Sequence, residues 1–303
     1  MNPDLDPGLQ PHADKTCAAP ATPGLASDGR RRLLLALGTQ LLSACAARGS
    51  PVLVLKGPGV LLGEVHDNVA GHALRLAAFD AWLSAGARPA LVMEMFDRGD
   101  QPAIDHLRVQ EQGRPGPDAP GFVKAVLAAR PAPADRSGWD WRFYTPFVER
   151  ALSHGLPLVA ANVGRAEARA VMQDGLAAHG FDADVPADLL EGHARSIEAS
   201  HCGQVVAPLA RRMALAQVAR DQQMAGAVQA HIARAVLLLA GNGHVRTDRG
   251  VPRWLSAHTR ARCECVGVLE QGDTTSAFDR VVHVAAQPSY DPCARMRPPP
   301  KAG

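Results

Sequence analysis

Four short stretches of this sequence carry acidic, amide or imidazole side chains where apolar runs stop. Gly63-Glu64-Val65-His66-Asp67-Asn68 follows VLL, Glu94 sits near the end of ALVMEM, Asn162 closes the run LPLVAAN, and Gly241-Asn242-Gly243-His244-Val245-Arg246 follows AVLLLA. Glu64 and His66 are two apart, so extended backbone puts both on one face, where a carboxylate and an imidazole can share a proton, orient each other or ligate a cation. A carboxylate inside or ending an apolar run is costly to bury without a partner, which marks Glu64 and Glu94 as functional. Gly63, Gly241 and Gly243 let the backbone turn sharply or approach a ligand. Glu64, His66, Glu94 and His244 thus form a candidate catalytic set for hydrolysis. In one version His66 is a general base oriented by a carboxylate; in the other Glu64, His66 and His244 hold a divalent metal that acidifies a water. No HExxH motif occurs, so such metal ligands would come from distant segments.

The elements that would position these groups are legible from periodicity. Val60–Gly63, Ala90–Met95, Leu156–Val163, Ala235–Gly241, Cys263–Leu269 and Arg280–Ala286 read as buried strands, and Val69–Ser84 reads as a helix with Leu74, Ala77, Ala78, Ala81 and Trp82 at 3/4 spacing. Asp67 or Asn68 is a natural N-cap for that helix. Strands alternating with helices give an α/β fold, a mostly parallel sheet flanked by helices. In such a sheet the ligand crevice lies beyond the carboxyl ends of the strands, where all four polar segments converge. Residues 99–136, broken by Pro115, Pro117, Pro120, Pro131 and Pro133, and the mostly helical 166–228 form helical insertions that make a smaller subdomain. The body spans 46–290, and 291–303 is a loose tail.

The 32 basic residues against 30 acidic give a net charge of +2, which offers no field for gripping nucleic acid. Residues 1–45 form a disordered lead followed by an export signal. Arg30-Arg31-Arg32 precedes Leu33–Leu42 and then Ser43-Ala44-Cys45, an apolar run too short to span a bilayer about 30 Å thick. The long lead suggests a start of translation near Gly29, and the paired arginines resemble a twin-arginine signal. Leu42-Ser43-Ala44-Cys45 resembles the bacterial lipobox, so Cys45 is the expected lipidation site and first residue of the mature chain, tethered to a membrane. Of the other cysteines, Cys263 and Cys265 are too close to bridge each other comfortably, and either Cys202–Cys263 or Cys265–Cys293 pairing is open.

GEVHDN (Gly63–Asn68) with His72, EMF (Glu94–Phe96), WDWRFYTP (Trp139–Pro146), AANVGR (Ala160–Arg165), HCG (His201–Gly203), AQVARDQQMA (Ala216–Ala225) and GNGHVRTDRGVP (Gly241–Pro252) resemble the ChaN-type haem-binding lipoproteins over most of residues 55–270. The resemblance implies an α/β body with a smaller helical domain and a lipid anchor in the outer membrane of a Gram-negative bacterium. It also implies a part in haem and iron uptake, two haems held between the protomers of a homodimer, and an outer-membrane haem or iron receptor as partner. Haem iron accepts Tyr, His or Met, so the resemblance makes Tyr144, His66, His201, His244 and Met224 candidate ligands and Arg165 and Arg246 candidate propionate contacts. Asp221 and Met224, with Gln217, share one helix face that would wall the crevice. The wider Tiki-like grouping holds peptidases and erythromycin esterases, hence the alternative of a metal- or His-dependent hydrolase. Two positions depart from the family pattern: Gly71 stands where a His commonly precedes His72, and Gly164-Arg165 replaces Pro-Arg.

Overall fold

A computed structural model describes residues 51–111, 116–130, 138–288 and 293. Residues 1–50, which contain the expected signal and Cys45, lie outside the described residues, as does most of 291–303. Six strands, β1 (Gly59–Leu62), β2 (Ala90–Asp97), β3 (Leu158–Asn162), β4 (Val236–Leu239), β5 (Cys263–Glu270) and β6 (Arg280–Val284), form one parallel sheet in the order β3-β2-β4-β1-β5-β6. The inner strands are apolar without alternation because both faces are covered: every residue of β1 and β4 is buried. The chain enters at β1, moves out to β2 and β3, returns to β4 and then departs the other way through β5 and β6. The crevice therefore opens where strand order reverses, beyond the ends of β1, β2 and β4.

Helix α1 (Val69–Ser84) begins where the Asn68 side chain accepts a hydrogen bond from the Gly71 amide, 2.7 Å away, which satisfies one of the orphan donors of the first turn. On one sheet face α1, α3 (Ala119–Ala128) and α4 (Trp141–Ser153) bury the largest apolar cluster, with Phe79 of α1 stacked on Phe147 of α4. The other face is covered mainly by α7 (Ala207–His231), whose Met224, Ala225 and Val228 meet β1, β2 and β4. Farther along, α7 also packs on α5 (Arg165–Asp174) and α6 (Ala187–Ser200) through two smaller apolar clusters, which form the helical layer within 166–228.

The other insertion starts with α2 (Gln101–Glu111), whose Gln101 side chain imitates a further strand. Its amide donates to Leu158 O at 3.1 Å and accepts from Ala160 N at 2.8 Å, closing the β3 edge. After α3, Arg130 reaches back to Asp100 with two hydrogen bonds of 2.9 and 2.5 Å and lies 3.3 Å from Asp97, so the insertion is fastened to the end of β2.

Cysteine pairing differs from both open alternatives. Cys202, in the left-handed region at φ 58°, is bonded to Cys293, while Cys263 and Cys265 are buried in β5 as free thiols whose pKa values burial pushes up, that of Cys263 to about 11. In β5 the two cysteines pair with β1, opposite Gly59 and Leu61, and belong to the apolar cluster under α7 rather than to the α6–α7 connection that carries Cys202.

Candidate functional site

Glu64 leaves β1 into the crevice floor, buried to 3% exposure. One oxygen, Oε1, accepts from the Tyr144 hydroxyl at 2.5 Å and from His66 Nδ1 at 2.8 Å, and Oε2 is bound by Arg75 of α1. Burial by itself would raise its pKa; the Arg75 charge and the hydrogen bonds from His66 and Tyr144 outweigh burial and hold it at about 2. Since an ionised carboxylate only accepts, His66 Nδ1 is the donor and its Nε2 is left free, the tautomer set by the buried acid. The His66 side chain is 55% exposed and stands edge-on to Trp139, ring centroids 4.8 Å apart. Burial lowers the His66 pKa, but Glu64 and Glu94 raise it further, so it sits above the usual imidazole value.

His72, one turn into α1, belongs behind this site rather than in it. Its Nε2 donates to His66 O at 2.9 Å, its ring stacks on Phe143, and burial and the Arg75 charge lower its pKa. Gly71, at the departure from the family pattern, is buried; a Cβ there would meet Asn68 Oδ1 at 3.4 Å.

A second buried cluster is built around His244, in the short helix α8 (Asn242–Val245). Its Nδ1 lies 2.6 Å from Asp221 Oδ1 and its Nε2 3.4 Å from Glu94 Oε1. Burial opposes the charge, but Glu94 and Asp221 on either side raise the pKa to about 10, so the ring is an imidazolium at neutral pH. Glu94 reaches it because β2 bulges: the β2–β3 register slips between Met93 and Asp97, and past Met93 strand β2 no longer pairs with β4. Its Oε2 accepts from the Gly241 amide at 2.7 Å, and the His244 charge keeps its carboxyl below the usual range despite burial. Glycine at 241 leaves room for the His66 ring, since a Cβ there would stand 2.9 Å from His66 Cε1.

His66, Glu94 and His244 border one cleft of about 390 Å³, together with Trp139, Asn162, Arg165, Gln217 and Arg220. The strand-end groups therefore converge as the sequence implied, with Glu64 directly behind His66. Of the eight haem-contact candidates, His66, Arg165 and His244 line this cleft and five do not. Tyr144 is fully buried with its hydroxyl spent on Glu64, which also pushes its pKa up. Met224 is core beneath β1, β2 and β4, and Asp221, fully buried, holds His244 from behind. His201 caps the end of α6, its Nδ1 on Ile197 O, and Arg246 turns to Asp248 with hydrogen bonds of 2.9 and 2.6 Å.

The metal reading finds no support in the geometry. Among the described residues no group of three or more His, Cys, Asp or Glu is arranged to hold a metal ion. Glu64 is already engaged by Arg75, Tyr144 and His66, and both His244 nitrogens face carboxylates. Arg75, Trp139 and Arg220 escaped sequence reasoning. Arg75 follows His72 by three residues and Arg220 follows Gln217 by three, so helical spacing from residues already singled out could have found both.

The model of the haem-binding uptake family of the Tiki superfamily, ChaN, matches residues 55–255. The chain belongs to the ChaN family. Among solved structures it is similar to a protein titled "Cofacial heme binding to ChaN of Campylobacter jejuni", at 21% identity over 75% of this chain and 87% of that one, with a TM-score of 0.60. That likeness speaks for the fold shared with a ChaN protein. More remote are a succinoglycan biosynthesis protein, 12% identical over 71% of this chain and 66% of that one, and an erythromycin esterase variant in its open conformation, 10% identical over 71% of each. Both have a TM-score of 0.39 and carry no argument here. No curated protein matches the chain.

Proposed function

We propose that this ChaN-family chain binds haem at the cleft, with His66 Nε2 as the iron ligand. The observation that carries the reading is His66 itself: an exposed imidazole whose other nitrogen is pinned by a buried carboxylate, an arrangement that fixes the ring and makes it a better donor to a metal centre. The donor chemistry fits the group, since Trp139 offers an aromatic edge and the lining arginines suit propionates. Haem would supply an iron centre that accepts an imidazole; the chain supplies the oriented imidazole and a wall in which arginines stand beside the carboxylates of Glu94 and Asp97.

The lipobox pattern ending at Cys45 supports acylation and attachment to the outer membrane, where haem binding would serve iron uptake alongside a haem or iron receptor. The ChaN relative described as binding haem cofacially supports two haems stacked face to face, which a homodimer would hold between its protomers.

Titration of the full chain with Fe(III) protoporphyrin IX tests the site: a ligated Soret band appears, and His66→Ala removes it. A spectrum that stays that of free haem, or one indifferent to His66→Ala, overturns the assignment. Cys45→Ala is expected to move the protein from the membrane to the soluble fraction.

A second reading is favoured by one observation, that a carboxylate-oriented imidazole and an imidazolium share the cleft. His66 would take a proton from an attacking nucleophile, while His244, its two ring nitrogens facing Asp221 and Glu94, would hold Glu94 in place, a hydrolase without metal. Ester or peptide turnover abolished by His66→Ala supports it; no turnover by the wild-type chain removes it.

A further inference from the structure

Three side chains on the β3 and α7 side of the cleft hold donors that meet no protein acceptor among the described residues. Arg220 and Gln217 lie three apart on one face of α7, and Asn162 stands at the end of β3 with its Oδ1 on Val163 N and its Nδ2 directed to no protein group. Arg220 is the informative member. It is half-buried, and no carboxylate among the described residues forms an ion pair with it, although Glu94, Asp97 and Asp221 are near enough to act on it through space. Burial depresses its pKa by more than those three acids restore, and Arg165 repels it further. Contrast Arg130 on the same cleft, which is met by Asp100 and Asp97. A guanidinium withdrawn from water without a counter-charge in contact is stabilised by an anion that brings one, and its fork suits a carboxylate.

We propose that Arg220, assisted by Gln217 and Asn162, is an anion subsite that takes a carboxylate of the cleft ligand. The proposal rests on the haem reading for the identity of that ligand, in which the carboxylate is a propionate. It assigns to Arg220 the contact for which Arg246, turned to Asp248, is not available. Arg165 borders the same wall and adds positive potential without being required for the contact.

The test compares three probes on the full chain: Fe(III) protoporphyrin IX, its dimethyl ester, and iron-free protoporphyrin IX followed by quenching of tryptophan fluorescence. In the wild type the free acid is expected to bind roughly 10- to 100-fold tighter than the dimethyl ester, the range of a charge-assisted hydrogen bond. Arg220→Gln removes that preference and leaves ester binding and the melting temperature unchanged; Arg220→Lys restores part of it; Gln217→Ala reduces it by a smaller factor. Iron-free porphyrin shows the same dependence on Arg220, because no iron bond is involved. If the acid-over-ester preference survives Arg220→Gln, or if the variant weakens acid and ester equally, the subsite is overturned. Iron-free binding that depends on Arg220, with no ligated Soret band from haem, keeps the subsite and refutes His66 as ligand. A ligated band with no acid-over-ester preference does the reverse, and absence of binding by all three probes removes both.

Discussion

Replacing Glu64 by Gln tests the centre of the site, because three partners depend on that one carboxylate. Arg75, Tyr144 and His66 together bring its pKa from the usual 4.5 to about 2 against the opposing effect of burial. A shift of that size corresponds to about 3 kcal/mol of stability at neutral pH. The amide also leaves the Arg75 charge buried without its counter-ion, for which a loss of about 3–5 kcal/mol is typical. A Tm lower by about 6–12 °C follows at the smaller figure for a domain of this size. The native state binds the Glu64 proton more weakly than the unfolded chain, so the contribution is complete above pH 4.5 and is lost as pH falls through about 2. His66, whose pKa is raised, acts with the opposite sign: its share is complete below 6.5 and fades on the alkaline side, so the acid limb isolates Glu64. Urea unfolding followed by circular dichroism at pH 7, 5 and 3 should show a gap between wild type and Glu64→Gln that is at least as wide at pH 5 as at pH 7 and narrows at pH 3. A gap under about 0.5 kcal/mol at pH 7, the level of an ordinary surface change, or one that does not change with pH, refutes the account of the buried cluster.

Tyr144→Phe removes the 2.5 Å hydrogen bond to Glu64 and is expected to lower unfolding stability by about 1.5–3 kcal/mol with an unchanged Soret band; a lost band would make Tyr144 a ligand after all. His244 should remain protonated across neutral pH, adding stability that is complete below 6.5 and lost as pH rises through about 10. Asp221→Asn should move its titration downward, as read from histidine ring signals by NMR; an unmoved curve contradicts the pairing. Gly241→Ala places a methyl 2.9 Å from His66 Cε1, which should displace the exposed ring and weaken haem binding roughly tenfold, about 1.4 kcal/mol, at nearly constant Tm. Reduction of Cys202–Cys293, which closes a separation of 91 residues, is expected to lower stability by about 4.6 kcal/mol in the chain-entropy model, measured by unfolding with and without reductant.

The sequence by itself determined the α/β architecture and the approximate position of the site. Apolar runs and the 3/4 spacing of Val69–Ser84 are local signals, and all six strands and that helix form where those signals lie, although β6, at the sheet edge, is largely half-buried rather than buried as its sequence implied. The convergence of His66, Glu94 and His244 was likewise legible, because parallel strands deliver their carboxyl ends to one edge of a sheet whatever the details of packing. Tertiary structure alone decided which groups touch. Glu64 meets Tyr144 across 80 residues and Gly241 meets Glu94 across 147, and no periodicity encodes such distances. For the same reason Tyr144 turned from a candidate ligand into a buried donor, and Cys202 found Cys293. Residue type states what a side chain is able to do; the helix packed over it determines whether its polar atom reaches a ligand or is consumed by the protein.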